Sequence, residues 1–258
     1  MSLGIIYNVW DGCELLEASI KSVRNVADKI VVCYQERSYY GNTISEYNIN
    51  DVLHDLKNDN LIDELLLVNF QEIAATAFQA KQMEKIKYQL GLNKLESYGM
   101  DYFMVRAVDE FFIENELSDA LNKTIANKYD RTFCQIQTYT SAILKDLENT
   151  DHVNSTLFYK LIRGMKIGES DKVPIYVDAV GKYGRSGNDY IFNRKELMMH
   201  HYRLLRLDLK RKAINSSISN KSFLLNQANN ILDFQDKAQS CDNLFNIDIE
   251  KFVEKYCE

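Results

Sequence analysis

Four short apolar segments, 3-LGIIYNV-9, 29-KIVVCY-34, 64-ELLLVNF-70 and 101-DYFMVR-106, recur through the first part of the chain with helix-patterned sequence between them. Unbroken runs of this length, rich in β-branched residues, read as strands covered on both faces, and such strands belong to parallel sheets. Parallel neighbours need long right-handed crossovers, and the intervening stretches are long enough to supply them. After the first strand, 11-DGCE-14 has the form of a capping box, with Asp11 accepting from a first-turn N–H and Glu14 reaching back. Leu15, Leu16, Ile20 and Val23 then fall at helical spacing, which predicts a helix over 11–25. A polar turn holding Gly41 and Asn42 precedes a helix over 49–58, and a long helix over 74–97 stops at Tyr98-Gly99. The expected class is α/β, with a doubly wound, mostly parallel, Rossmann-like sheet.

Beyond Asn115 the pattern changes. A helix over 115–127 is followed by strand candidates at 131–140, 155–163 and 173–180, more amphipathic and joined by turn-rich connections, as antiparallel or mixed strands are. From 204 the tail reads as helix, polar loop and helix. The expected division is a domain over 1–203 and a C-terminal helical extension over 204–258, within reach of a chain of 258 residues.

The formal net charge of −6 argues against a phosphate-tracking nucleic-acid surface. Charge is nonetheless uneven: Arg203, Arg206, Lys210, Arg211, Lys212 and Lys221 gather against one acid, Asp208. That cluster suits phosphates or anionic headgroups, and equally a solvated helix face. Five scattered cysteines with no C-x-x-C pair speak against a disulfide framework or structural zinc. The start of the chain has neither a basic n-region nor a long apolar h-region, and no stretch approaches the roughly 18 apolar residues of a membrane span. The expectation is a cytoplasmic protein, with any membrane contact peripheral and at the inner face.

In open α/β sheets ligands gather at the carboxyl ends of strands. There the sequence puts Asn8 and Trp10, Tyr34 and Gln35, Asn69, and then Asp109 and Glu110. An aromatic ring can stack on a nucleobase and an amide can read its edge. Neither G-x-G-x-x-G nor a Walker A lysine is present, and 181-GKYGRSG-187 has the spacing of neither. Asp109 and Glu110 fit two readings: a helix N-cap with its acidic first turn, or strand-end carboxylates for a hard cation bridging a diphosphate. The adjacent His200 and His201 sit beside arginines; on an extended segment they point to opposite sides, so at most one faces a metal or phosphate.

The stretches 4-GIIYNVWDGCELLEASIKSVRNVADKIVVCYQ-35, 41-GN-42, 100-MDYFMVRAVDEFF-112 and 199-MHHYRLLRLDLKRKAINSS-217 together resemble GT-A fold glycosyltransferases, of the family 2-like kind found in bacterial surface-polysaccharide clusters. The resemblance implies transfer of a sugar from a nucleotide-sugar donor to a hydroxyl of a glycan or lipid-linked glycan acceptor, in capsule, lipooligosaccharide or related synthesis. It also implies Mn²⁺ or Mg²⁺ held by a D-x-D motif. Asp109 matches the last acid of that motif and Glu110-Phe111 its continuation, while Ala107 stands at the first acid position and cannot coordinate a cation. His200 or His201 would then complete a metal shell with Asp109, or Arg203 and Arg206 would stabilise the leaving diphosphate in its place. Asn8, Trp10, Tyr34 and Gln35 would line the nucleoside pocket, and Lys81 and Lys85, one helical turn apart, would face phosphates or solvent. Asp178 is the candidate general base, with Glu110, Glu169 and Asp171 as rivals. The alternatives are a catalytically impaired relative acting as a binding or scaffold protein, and a nucleotidyltransferase.

Overall fold

The structure is a computed structural model that describes residues 1–139, 154–167, 187–202, 205–215 and 244–257. The strand candidate at 173–180 lies outside the described residues, as do Arg203, Glu169, Asp171, Asp178 and most of the glycine-rich run. The first half alternates as the sequence predicts: β1 (Leu3–Val9), α1 (Cys13–Arg24), β2 (Lys29–Tyr34), α2 (Ile49–Asn58), β3 (Glu64–Leu67), α3 (Ala77–Ser97) and β4 (Tyr102–Arg106). There follow β5 (Glu110–Phe111), α4 (Glu114–Ala126), β6 (Arg131–Thr138), β7 (Asn154–Lys160), β8 (Asp189–Ile191), β9 (Met198–His201), α5 (Leu209–Asn215) and α6 (Ile249–Tyr256).

One sheet runs in the order β3-β2-β1-β4-β7-β6-β9-β5, with β8 on β6. The pairs β3/β2, β2/β1 and β1/β4 are parallel, as are β6/β9 and β6/β8; β4/β7, β6/β7 and β5/β9 are antiparallel. The sheet is therefore mostly parallel, and its two faces are covered by different helices. Leu16, Ile20 and Val23 of α1 and Val52, Leu53 and Leu56 of α2 pack with Ile5, Tyr7, Val9, Ile30 and Val32. On the other face Tyr88, Leu92 and Leu95 of α3 pack with Ile6, Val31, Cys33 and Phe103. Each fully buried leucine contributes about 1.5–3 kcal/mol. Contact on the α3 face is close: a Cβ on Gly91 would come within 2.6 Å of Ile6 Cγ2 and 3.0 Å of Cys33 Sγ.

Helix boundaries follow local chemistry. Thr76 and Gln79 form a reciprocal capping box at the start of α3, and Gly99, at φ +71°, follows its end. The capping box predicted at 11–14 does not form. Gly12 takes a left-handed conformation at φ +83° and α1 begins with no side-chain cap, because both carboxylates of that motif are used elsewhere. β3 ends at Leu67, short of the predicted 70. Asp109 is not a helix N-cap either: α4 is entered through Ile113, and Asp109 closes the turn before β5. In the C-terminal part, α6 returns to the main core, with Phe252 edge-on to Tyr47 at 5.3 Å and Tyr256 donating to Asp55.

No helix among the described residues is long and apolar enough to cross a membrane.

Candidate active site

From β1 the crossovers lead outward through β2 to β3, and the chain then returns to the other side of β1 as β4. The carboxyl ends of β1 and β4 thus flank the point where strand order reverses, the place where open α/β sheets leave a crevice. Here lie Trp10, Asp11 and Gly12 after β1, and Ala107, Val108 and Asp109 after β4.

A strap from the C-terminal part crosses this crevice. Tyr202 N–H donates to the Asp109 carbonyl at 2.9 Å, and Leu207 N–H to Glu14 Oε1 at 2.9 Å. Between them the Arg206 guanidinium, 6% exposed, donates from Nη2 to Asp109 Oδ2 at 2.7 Å. One turn into α5, Lys212 Nζ meets the same Oδ2 at 2.7 Å, and His201 Nε2 stands 3.6 Å away. Arg211 reaches Asp11 Oδ1 through Nη2 at 3.0 Å and also pairs with Glu46. Gly12 makes room for this packing: a Cβ there would overlap Arg206, 1.6 Å from Nη1. Its glycine identity serves both the positive φ and the guanidinium laid against it.

The electrostatics follow from burial. Desolvation alone would raise the Asp109 pKa, but Lys212, Arg206 and His201 outweigh it and hold the carboxyl well below the usual range. Burial likewise opposes the charge on Arg206, and Asp109, Glu14 and Asp11 overcome it, raising its pKa. Glu14 goes the other way: burial raises its pKa despite Arg206. The Asp109 carboxylate thus faces two basic side chains, Arg206 and Lys212, while Glu14 and Asp11 also act on Arg206.

The neighbouring acid has a different task. Glu110 Oε2 accepts from Arg106 Nη1 at 3.0 Å in a pair almost wholly withdrawn from water, and Arg106 Nη2 continues to the carbonyls of Thr156 and Leu157. Of the adjacent carboxylates, only Asp109 meets the crevice; Glu110, on β5, holds Arg106, and Arg106 joins β4 to β7. The histidines divide too. His200 Nδ1 bonds Tyr139 Oη at 2.7 Å amid Tyr139 and Phe245, away from Asp109's cations, while His201 stays beside Asp109.

The residues expected to line a nucleoside pocket lie at the ends of β1 and β2, but not all on one surface. Asn8 Nδ2 donates to Tyr39 Oη at 3.2 Å and Glu84 Oε1 at 3.3 Å, under α3. Tyr34 is buried on the opposite face, in the cluster with Tyr47 and Ile49. Trp10 is half-buried, and its indole N–H has no partner among the described residues. Gln35 is 2% exposed, yet neither amide atom has one. A buried amide with both functions idle is rare, since desolvation without a replacement bond costs about 1–3 kcal/mol. Lys85 is half-buried on α3 and Lys81 exposed.

A divalent ion does not fit this donor set. Among the described residues no three His, Cys, Asp or Glu side chains gather as a metal group. Asp109 Oδ2 already carries two cationic nitrogens, and an added ion would sit against Arg206 and Lys212. A separate cleft of about 800 Å³ between α1, α2 and α6, lined by Phe112, Phe245, Phe252 and Tyr256, shares only Glu14 with the crevice.

No protein-family model matches the chain, and no curated protein matches it. Among solved structures, residues 1–349 of S. aureus TarS align over 92% of this chain and 73% of their own length, at 11% identity and TM-score 0.48. The same TarS segment in complex with UDP aligns over 62% of this chain and 47% of its own, at 11% identity and TM-score 0.40. A longer TarS structure aligns over 89% of this chain, which spans 43% of that one, at 11% identity and TM-score 0.45.

Proposed function

We propose that this chain is a glycosyltransferase that takes its sugar from a nucleoside-diphosphate donor and passes it to a hydroxyl of a glycan or lipid-linked glycan, in surface-glycan synthesis. The observation that carries the reading is the pairing of Arg206 and Lys212 on Asp109 at the switch-point crevice. Two basic side chains held on Asp109, one buried and one part-exposed, can supply what a departing diphosphate requires: positive charge held in place where negative charge develops. In this reading they do the work that the metal does in D-x-D enzymes, and Asp109 orients them. Gln35 and Trp10, whose side-chain polar atoms at the ends of β2 and β1 lack partners among the described residues, meet the nucleoside. Asp178 remains the proposed general base and Arg203 a further phosphate contact. A peripheral contact with the inner face of a membrane would bring a lipid-linked acceptor to the crevice.

UDP, which TarS binds in its complex, is the first nucleotide to try, with GDP beside it. A ligand at 100 times its Kd stabilises the fold by about 2.7 kcal/mol. The expected outcome is a rise in Tm with one of these nucleotides that survives excess EDTA and is sharply reduced in Lys212→Met. A rise that appears only with Mn²⁺ overturns the metal-free form of the proposal; no rise with any nucleoside diphosphate overturns nucleotide dependence itself.

A further inference from the structure

On the apolar stripe of α3, where Ala80, Tyr88, Gly91, Leu92 and Leu95 pack inward, stands a lysine. Lys87 is 0% exposed, and its ammonium donates to the Val9 carbonyl at 3.1 Å, the last residue of β1. The same carbonyl receives the backbone N–H of Gln35 at 3.2 Å. One side chain thereby fastens α3 to the point where β1 and β2 end, immediately before Trp10 and Asp11. The groups facing it are Cys33 from β2, Glu84 from α3 and Tyr39 from the β2–α2 connection, whose ring centroid lies 5.7 Å from Nζ. Asn8 of β1 ties Tyr39 and Glu84 together, and Tyr88 joins the same cluster. Among the described residues no carboxylate comes within ion-pairing distance of Lys87, and the Val9 carbonyl is its hydrogen-bond acceptor.

We propose that Lys87 is a positioning residue for the nucleotide site: its bond to Val9 sets the ends of β1 and β2, and its charge favours a bound anion. This rests on the nucleotide-sugar reading above. A buried lysine with one neutral acceptor is an unfavourable arrangement for stability alone, because a methionine of similar volume would fill the space without a desolvated charge. Burial pushes its pKa down to about 7, against the smaller opposing effects of Cys33 and Glu84. Below that pH the ammonium makes a charge-assisted bond to Val9; above it the bond weakens and the positive charge is gone.

The chain's single tryptophan, Trp10, follows Val9 directly, so its fluorescence reports this strand end. In the wild type, Trp10 emission is expected to change with a midpoint near pH 7. UDP, titrated by calorimetry, is expected to bind about tenfold more tightly at pH 6 than at pH 8.5, equivalent to about 1.4 kcal/mol. Lys87→Met and Lys87→Gln should lose both dependences while remaining folded at pH 8.5, where the native amine is already largely neutral. Absence of any Trp10 transition in the wild type overturns the proposal, as does a folded variant that keeps the wild-type pH dependence. If the wild type binds neither UDP nor GDP while the Lys87-dependent Trp10 transition is present, the nucleotide reading fails and the hold of Lys87 on β1 stands.

Discussion

The two ends of the same parallel strands are built to opposite specifications. At the amino end three acids serve the backbone: Asp101 accepts from Ser2 N–H at 2.7 Å and Asp28 from Leu3 N–H at 2.7 Å. Asp63 accepts from Ile30 N–H at 2.8 Å while also pairing with Arg24 and Lys29. At the carboxyl end buried groups are left idle, with both amide atoms of Gln35, the Trp10 indole N–H and Glu14 Oε2 lacking partners among the described residues. Cations there are drawn in from a distant part of the chain. A fold gains nothing in stability from idle buried polar groups, so the contrast separates the end that holds the sheet together from the end where the nucleotide site is proposed.

Substitutions can break or sharpen this contrast. The largest effect is expected from Glu110→Ala, which strands the buried Arg106 guanidinium. Loss of one partner from such a pair costs about 3–5 kcal/mol, read by urea denaturation. Glu110 lies close to the crevice in sequence but acts structurally, so nucleotide affinity measured on the remaining folded protein should change far less than stability.

Asp63→Asn tests the amino end. Hydrogen bonds to a charged group are worth about 1.5–3 kcal/mol, and the variant should lose an amount of that order with no change in nucleotide affinity. Burial raises the Asp63 pKa, but Arg24, the Ile30 N–H and Lys29 together lower it. With the folded value depressed, the carboxylate's contribution is complete above the unfolded pKa of about 3.9 and lost as pH falls through the folded one. The variant's deficit should accordingly shrink in acid. Asp109 shares this sign, its pKa being held down at the other end.

The smallest expected stability change, and the sharpest contrast, comes from Gln35→Leu. Removing an unsatisfied buried amide should leave the protein equally stable or more stable by about 1 kcal/mol, while nucleotide affinity falls. A clear loss of stability would mean that the amide is not idle and would remove Gln35 from the site.

The sequence disclosed one half of this molecule more readily than the other. Unbroken apolar strands and periodic helices gave β1, β2, β4 and α2 at or near their observed bounds, because parallel packing on two faces leaves a local signature. The later strands β5, β8 and β9 have two to four residues each, too few for periodicity to register. Asp109 was legible as a strand-end acid and Arg206 as one of a basic cluster. Their meeting was not, since 97 residues separate Arg206 from Asp109 and 103 separate Lys212 from it. The capping box at 11–14 misled because Asp11 and Glu14 are recruited by Arg211 and Leu207, partners no local pattern reveals. Lys87 did leave a signal, a lysine inside an apolar stripe, that a face-by-face reading of α3 would have caught. At the expected metal shell, too, only the fold shows the partners of the three residues: His200 bonded to Tyr139, and Arg206 and Lys212 on Asp109 beside His201.

The central claim is that a nucleoside diphosphate meets Arg206 and Lys212 beside Asp109 without an intervening ion. It is tested most directly by a crystal structure of the protein with UDP grown in EDTA. The account predicts phosphate oxygens within hydrogen-bond distance of both cations and the base near Gln35. A nucleotide bound elsewhere, or one ordered at Asp109 only when Mn²⁺ bridges the carboxylate and the phosphates, would contradict it.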